Sequence, residues 1–199
     1  MEARRTQARG DARKEQILEV ALKTFAESGY YGASLADIAA GAGVSQTGLL
    51  HHFRSKQALL VAVLEYRDRM HSERRILTAD EPLRGADALR HQIRMMERTS
   101  SDLAVQLLVV VTAEAINPDH PAHGWLLERY EWMVGWLESS LRLGIDDGSI
   151  RPDVDCGAIA RQVFATEDGL KLQWLIQPDI DTVAIFTEYI DALIDRISC

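Results

Sequence analysis

The chain has 199 residues, of which 47% are hydrophobic and 26% are charged, and this length and balance suit one compact domain or two small ones. No apolar run reaches the roughly 18 residues that a membrane span needs, and no apolar stretch follows the N-terminal arginines as it would in a secretory signal. We therefore expect a cytoplasmic protein without a membrane segment, in which the two cysteines, Cys156 and Cys199, are reduced thiols.

Charge is distributed unevenly along the chain. The formal net charge is −8, yet residues 1–56 carry eight Lys or Arg and six Asp or Glu, which leaves this segment at +2. The remaining residues carry 14 basic and 24 acidic side chains, a net charge of −10. A basic end on an acidic body is expected when only one end meets nucleic acid, because phosphate attracts the first and repels the second.

Helical periodicity runs through nearly the whole sequence, and we find no run of strict alternation that would predict a β-strand. Residues 1–10 are expected to form a flexible basic arm. The first helix is predicted from about Ala12 to Ser28, and Gly29 ends it, as a C-terminal glycine commonly does. Its apolar stripe recurs at i, i+4 and i+8 and consists of Ile17, Ala21 and Phe25.

Two short helices with a glycine turn between them are predicted over residues 34–53. Ser34 is expected to cap the second helix, with Asp37 three residues later in a position close to a capping box. The glycines of Gly41-Ala42-Gly43 break this helix. Ser45 then caps a third helix, which is predicted to end near Phe53.

The third helix is predicted to pack with one face and to expose the other. At 100° per residue, four of its side chains span about 140° of one face: Gln46, Thr47, Leu50 and His51. Leu49 lies outside this arc and is expected to point inward. The exposed face fits a major groove, because an amide can pair with adenine and apolar groups can touch a thymine methyl. On this pattern alone, an ordinary helical hairpin in an all-α core is the alternative to a DNA-binding helix-turn-helix.

Several longer motifs surround this segment: Phe25-Ala-Glu-Ser-Gly-Tyr30, Ser34-Leu-Ala-Asp-Ile-Ala39, Ala42-Gly-Val-Ser45 and Gly48-Leu-Leu-His-His-Phe53-Arg-Ser-Lys56-Gln-Ala-Leu-Leu60. Together they resemble the DNA-binding domain of the TetR family of bacterial transcriptional regulators, over Arg13 to about Leu60. The resemblance implies an all-α protein. Its N-terminal three-helix domain, residues 1–56, would bind DNA, and its C-terminal helical domain, residues 57–199, would sense a ligand and dimerise.

The resemblance also implies which residues contact the phosphate backbone. Ser34 and Ser45 match helix-capping positions whose amides and hydroxyls meet phosphate. Lys56 matches a phosphate-binding lysine at the start of the fourth helix, where the helix N-terminus adds its own partial positive charge.

Other residues match family positions that face the bases of the DNA. Gln46, Thr47 and Leu50 match positions that contact bases or backbone. His51 stands where the family usually has a tyrosine that touches phosphate, so Leu50 and His51 depart from the usual pair of aromatic residues. An imidazole can still donate a hydrogen bond to phosphate, and more strongly when it is protonated.

A fourth helix is predicted from Ser55 to about His71. Five further helices follow, which makes about nine in total, and prolines and glycines mark most of the breaks between them. They are predicted at about Gly85–Ser100, Asp102–Ile116, His123–Leu143, Asp155–Ile176 and Asp179–Ile197.

The last two predicted helices are expected to pair with their symmetry mates as a four-helix bundle in a homodimer. Ala158, Ala165 and Gly169 would let another helix come close. The last helix also carries a long apolar stripe, formed by Val183, Phe186, Ile190, Leu193 and Ile197. The alternative is an internal hairpin in a monomer.

Large, adaptable side chains in the fifth to eighth helices indicate a pocket for a small apolar or aromatic effector. The candidate ligand-binding residues are Met95, Met96, Trp125, Tyr130, Met133 and Trp174, and Trp136 belongs to the same group. Polar side chains that could orient the ligand are Gln106, Thr112 and Glu167. We therefore expect a repressor that such a ligand releases from a double-stranded, palindromic DNA operator; an activator, or a DNA-binding protein without a ligand, is the alternative.

Two motifs that look like other kinds of site are interpreted as structural. Gly43-Val-Ser-Gln-Thr-Gly48 has the glycine spacing of a phosphate loop, but Leu49 stands at the position of the essential lysine. His120-Pro-Ala-His123 spaces two imidazoles as metal ligands can be spaced, but no cluster of Cys or carboxylate residues completes a tetrahedral set. We expect no metal, no cofactor and no enzymatic activity, because the best available constellation is three histidines without a partner pattern: His91, His120 and His123.

Overall fold

The computed structural model describes residues 2–70, 83–98 and 102–199 of the chain. These residues form nine α-helices and no β-strand, which confirms the predicted all-α fold. The helices are α1 (Glu2–Gly32), α2 (Leu35–Gly41), α3 (Gln46–His52), α4 (Lys56–Met70), α5 (Gly85–Arg98), α6 (Asp102–Glu114), α7 (His123–Asp146), α8 (Cys156–Ile176) and α9 (Thr182–Ile197). The predicted ends of the fourth helix near His71 and of the fifth near Ser100 lie outside the described residues. None of the described helices is long and apolar enough to cross a membrane.

The described part of the chain divides into two compact units. In the first, residues up to 70 pack with residues 102–126, so that α6 and the first turn of α7 join α1 to α4. The second contains α5, the remainder of α7, α8 and α9. The division into a DNA-binding domain of residues 1–56 and a sensing and dimerisation domain of residues 57–199 is a division by function, and it stays a prediction.

In the first unit, α1 packs against α6, α4 and α2. Its predicted apolar stripe is completely buried and consists of Ile17, Ala21 and Phe25. Burying one side chain of the size of Ile or Phe contributes roughly 1.5–3 kcal/mol relative to its exposure to water. The stripe therefore anchors α1 between its neighbouring helices.

The helix α1 begins ten residues earlier than predicted. Residues 2–10 continue the helix, so the expectation of a flexible arm is wrong for this segment. The physical reason is composition, because Ala, Arg, Gln and Glu are strong helix formers. The one glycine of the segment, Gly10, costs a helix only about 1 kcal/mol relative to alanine.

Gly29 ends the long helical run of α1, as predicted, because its backbone leaves the helical region with φ 66° and ψ −179°. This combination is essentially restricted to glycine. The carboxylate of Glu114, the last residue of α6, accepts a hydrogen bond from the N–H of Tyr30 at 2.7 Å, and a Cβ atom on Gly29 would collide with it. The turn is therefore held by a side chain that lies 84 residues away in the sequence.

The core of the second unit is built by α5, α7, α8 and α9. The helix α9 packs on α5 and α8 and buries most of its predicted apolar stripe, namely Phe186, Ile190, Leu193 and Ile197. The sequence predicts that this stripe faces a symmetry mate. It faces the chain's own core instead, because α5 contributes Ala88 and Leu89 to the same apolar cluster.

We predict that Gly29→Ala lowers the free energy of unfolding by about 2 kcal/mol, because the added methyl group must adopt a backbone conformation reserved to glycine and must displace Glu114. The matched control is Gly10→Ala in the same helix, where no other atom lies within 4 Å of the added Cβ and alanine should slightly stabilise the helix. Thermal denaturation followed by circular dichroism compares the two variants. A melting temperature of Gly29→Ala equal to that of the unaltered protein would contradict the argument.

Candidate DNA-binding surface and ligand cavity

Serine caps begin the two short helices, as predicted. Ser34 and Ser45 have extended backbones, and their hydroxyl oxygens accept N–H bonds from Ala36 at 3.2 Å and from Gly48 at 3.0 Å. Ser55 caps the start of α4 in the same way. Each hydroxyl keeps its own proton as a donor for a further partner.

Backbone bonds close the turn between α2 and α3. Gly43 adopts φ 64°, in the left-handed region that favours glycine, and the N–H of Val44 donates to the carbonyl of Ala39 at 3.0 Å. Arg13 of α1 donates from Nη1 to the carbonyl of Gly43 at 3.4 Å. The turn is therefore tied to α1 as well as to α2.

The rotation of α3 about its axis is set by Leu49, which is completely buried, as predicted. The side chains of the predicted opposite face are all exposed: Gln46, Thr47, Leu50 and His51. The structure thus brings an amide, a hydroxyl, an apolar group and an imidazole together on one surface of a seven-residue helix. That this surface contacts DNA stays a prediction.

Lys56 is the first residue of α4, and its ammonium group lies against two tyrosines. Nζ is 4.7 Å from the centroid of the Tyr30 ring and donates to the carbonyl of Tyr31 at 3.4 Å. A cation–π contact at an exposed site contributes about 0.5–1 kcal/mol. The ammonium group is thereby held at the N-terminus of α4, where the partial positive charge of the helix adds to its own.

His120, in the loop between α6 and α7, packs edge-on against the rings of Tyr30 and Tyr31, with centroid distances of 5.2 and 5.6 Å. Its side chain is completely buried, and Nδ1 accepts the N–H of Ala122 at 3.2 Å. Nε2 lies 3.6 Å from Oε2 of Glu114. Burial lowers the pKa of this imidazole, and the neighbouring carboxylate opposes the lowering.

Both imidazoles of His120-Pro-Ala-His123 therefore take part in local packing. Nδ1 of His123 hydrogen-bonds with the carbonyl of Ala115 at 2.8 Å. No group of three His, Cys, Asp or Glu that could hold a metal ion occurs in the described ranges. His91 belongs to the second unit, so the three histidines that we considered for catalysis are not assembled within either unit.

The second unit contains a small cavity of about 30 Å³ between α5, α7 and α8. Its wall is largely aromatic and sulfur-containing, with four polar side chains. The lining residues are His91, Gln92, Met95, Arg129, Trp132, Met133, Trp136, Phe164 and Glu167.

Three residues of the predicted ligand-binding group, Met95, Met133 and Trp136, line this cavity. Glu167, which is predicted to orient a ligand, lines it as well. Met96 packs into the apolar core of the second unit instead. Trp174 is half-buried near the C-terminal end of α8 and does not line the cavity.

Four further predicted positions, Tyr130, Trp125, Gln106 and Thr112, also lie outside this cavity. The hydroxyl of Tyr130 donates to Oδ2 of Asp168 at 2.7 Å, and burial, followed by this carboxylate, raises the pKa of the phenol. Trp125, Gln106 and Thr112 belong to the first unit. A role of these residues in ligand binding stays a prediction that this cavity does not support.

Sequence reasoning missed Arg129, Trp132 and Phe164 as lining residues, and it also missed His91 and Gln92. A signal for the first two was present, because Arg129, Trp132, Met133 and Trp136 recur at i, i+3, i+4 and i+7 and thus share one face of α7. Phe164 lies on α8 and carried no such local signal.

Comparisons with known proteins agree with this architecture. Residues 17–63 match the family model described as bacterial regulatory proteins, tetR family. The chain is 53% identical over 53 residues to the HTH-type transcriptional regulator RutR of Escherichia coli, an alignment that covers 27% of this chain. The matched segment spans only 25% of the length of RutR.

Two further comparisons extend over nearly the whole chain. The HTH-type transcriptional regulator UidR of Escherichia coli is 24% identical over 185 residues, which cover 92% of each protein. A crystal structure of a TetR-family transcriptional regulator from Agrobacterium tumefaciens superposes with a TM-score of 0.76 at 22% identity and covers 96% of this chain and 100% of its own. This likeness shows that the chain shares the fold of that regulator along nearly its entire length.

We predict that the stability of the protein falls as the pH drops from about 7.5 to about 5.5, in part because of His120. Burial lowers the pKa of this imidazole, so the folded form takes up a proton less readily than the unfolded form, and acid favours unfolding. His120→Asn offers an amide oxygen to the N–H of Ala122 but does not titrate in this range, and its melting temperature should depend less steeply on pH. Part of the slope should remain, because burial also lowers the pKa of His91. Identical slopes for the two proteins would contradict the assignment.

Proposed function

We propose that the chain is a member of the TetR family of bacterial regulatory proteins and acts as a homodimeric transcriptional repressor, released from a palindromic DNA operator by a small apolar or aromatic ligand. The observation that carries the proposal is the exposed face of α3, which follows a capped helix and a tight glycine turn. Residues 1–56, with a net charge of +2, carry this face, whereas the rest of the chain is strongly acidic. The charge distribution thus favours approach to DNA by this end alone.

Gln46, Thr47 and Leu50 are proposed to contact base edges in the major groove. An amide can bond to N6 and N7 of adenine at once, a hydroxyl can donate or accept, and an apolar side chain can touch a thymine methyl. Leu49 and Phe53 are buried, so α3 cannot rotate these three side chains away from the surface without exposing apolar groups. The reading face is therefore rigid before DNA binds.

Ser34, Ser45, His51 and Lys56 are proposed to bind phosphate. The serine oxygens accept helix N–H groups, and the hydroxyl protons are left to donate to a phosphate oxygen. Lys56 offers a charged donor at the N-terminus of a 15-residue helix. Contacts of this kind orient a protein on the duplex and carry no sequence information directly.

The helices α8 and α9 are proposed to form the dimer interface. On α8, small or apolar side chains that are exposed or half-buried lie within an arc of about 60°: Ala158, Ala165, Gly169, Leu172 and Ile176. Leu172 is 48% exposed, Ile176 is 76% exposed, and Ile185 of α9 is 45% exposed. A second copy of the chain would remove these apolar groups from water, and the small residues would let its helix approach closely.

A dimer explains how one short helix could select an operator. Two copies of α3 would occupy successive major grooves about 34–36 Å apart. A ligand that binds better to a conformation with a different spacing would shift the dimer away from DNA. The helices proposed to carry this movement are α4, which follows the helix-turn-helix, and α7, which contributes residues to both units and lines the cavity.

We predict that Lys56→Ala weakens binding to all DNA sequences to a similar extent, because the lost contact is to phosphate. The salt dependence of the logarithm of affinity should become shallower by about 1 for each lysine removed. The measurement is fluorescence anisotropy at several salt concentrations, with a palindromic fragment from the DNA that flanks this gene and with an unrelated duplex. Lys23→Ala is the matched control, since it removes an equal charge from an exposed position on α1. An unchanged slope for Lys56→Ala would count against the phosphate contact.

We predict that Leu172→Glu converts the dimer into a monomer, because it places a charge on the exposed apolar face of α8. Light scattering after size exclusion should then give 22.3 kDa instead of twice that mass, and operator affinity should fall with it. Leu127→Glu is the matched control, since Leu127 of α7 is 53% exposed and lies outside the proposed interface. A dimer that survives Leu172→Glu would refute this interface.

A further inference from the structure

The side chain of Glu114, at the C-terminal end of α6, reaches the point where α1 turns towards α2. Its Oε2 atom accepts the N–H of Tyr30 at 2.7 Å, and only 23% of the side chain is exposed to water. A hydrogen bond to a carboxylate is stronger than one between neutral groups, and partial burial strengthens it further. The bond therefore holds the backbone of Tyr30 in one place.

His120 supports the same tyrosine through its ring. The two rings meet edge to face, with centroids 5.2 Å apart and an angle of 81° between their planes. Because Nδ1 of His120 accepts the N–H of Ala122, the proton of the neutral imidazole lies on Nε2, which is 3.6 Å from Oε2 of Glu114. Glu114 therefore faces both the backbone of Tyr30 and the imidazole that packs against its ring.

The ammonium group of Lys56 lies over the ring that these contacts hold. Nζ is 4.7 Å from the centroid of the Tyr30 ring and donates to the carbonyl of Tyr31 at 3.4 Å. A lysine has a flexible four-carbon stem, and fixing it costs rotamer entropy. The ring and the carbonyl restrict Nζ before DNA binds, and its remaining N–H donors stay available for a phosphate oxygen.

We propose that Glu114 is a positioning residue for DNA binding, which acts on Lys56 through Tyr30. It fixes the tyrosine, the tyrosine ring holds the ammonium group, and less side-chain entropy is lost when the phosphate is bound. The inference rests on the proposed function, because it assumes that Lys56 contacts phosphate. A carboxylate close to a phosphate-binding lysine weakens DNA binding by its charge, so a favourable effect of Glu114 would have to come from positioning.

The first test separates the hydrogen bond of Glu114 from its charge, by fluorescence anisotropy of the full-length protein with the palindromic fragment. Glu114→Leu has no acceptor, and we expect operator affinity to fall about 5-fold, as the freeing of one long side chain allows. Glu114→Gln keeps an acceptor oxygen but not the charge, and its affinity should stay within about 2-fold of that of the unaltered protein. Asp119→Asn is the matched control, since it removes an exposed charge from the loop after α6 and should not lower affinity. Unchanged or higher affinity of Glu114→Leu would overturn the proposal.

The second test is a double-mutant cycle, which distinguishes positioning from a general loss of stability. In a Lys56→Ala background, Glu114→Leu should lower operator affinity by less than about 2-fold, because no ammonium group is left to position. In a Gln46→Ala background the loss should remain about 5-fold, because Gln46 lies on the exposed face of α3 and is not held by Tyr30 in this scheme. Equal losses in the two backgrounds would overturn the action of Glu114 through Lys56.

Circular dichroism establishes that each variant folds. If Glu114→Leu does not, Tyr30→Leu takes its place in the cycle, because it keeps the N–H bond to Glu114 and removes the ring beneath Lys56. Operator binding that Lys56→Ala weakens and the folded variant does not would overturn this inference alone. Operator binding that Lys56→Ala leaves unchanged would overturn the phosphate contact together with the inference, and no operator binding by the unaltered protein would overturn the proposed function itself.

Discussion

The hydrogen bond from the Tyr30 amide to the Glu114 carboxylate is the contact on which the geometry of the first unit depends. It holds the chain where Gly29 turns out of α1, and so it sets the direction in which α2 begins. The ring of the same tyrosine lies beneath the ammonium group of Lys56, and His120 packs against its edge. A carboxylate at the end of α6 therefore positions the lysine that we propose for phosphate binding.

The proposed DNA-binding surface lies on α3, a helix that is too short to be stable alone. One face of this helix is buried and the opposite face is exposed. An isolated helix of the length of α3, seven residues, would be mostly unfolded in water. Burial of Leu49 and the caps at Ser45 and Phe53 hold it in one orientation. Leu50 and His51 lie on this same helix. The aromatic pair usual in the TetR family is therefore replaced by side chains of different chemistry, while the position of the surface stays the same.

Both units bury an ionisable side chain with an atom that lacks a hydrogen-bond partner among the described residues, for example Nε2 of His120 in the first and Oε2 of Glu167 in the second. Their surroundings differ. The imidazole is enclosed by tyrosine rings and by Glu114, so it serves packing. The carboxylate is paired with Lys171 and lines a small, largely aromatic cavity.

The sequence by itself determined the features that act over a few residues: the helices, the serine caps at Ser34 and Ser45, the break at Gly29 and the inward side of α3. Capping, glycine conformation and helical periodicity are local, so a short window contains their cause. Only the tertiary structure decided which apolar face meets which helix. The apolar stripe of α9 packs into the chain's own core, and the cavity is lined by Phe164 from α8 and Trp132 from α7. The physical reason is that apolar burial is non-directional, so its partner is chosen by the packing of the whole chain and leaves no local pattern.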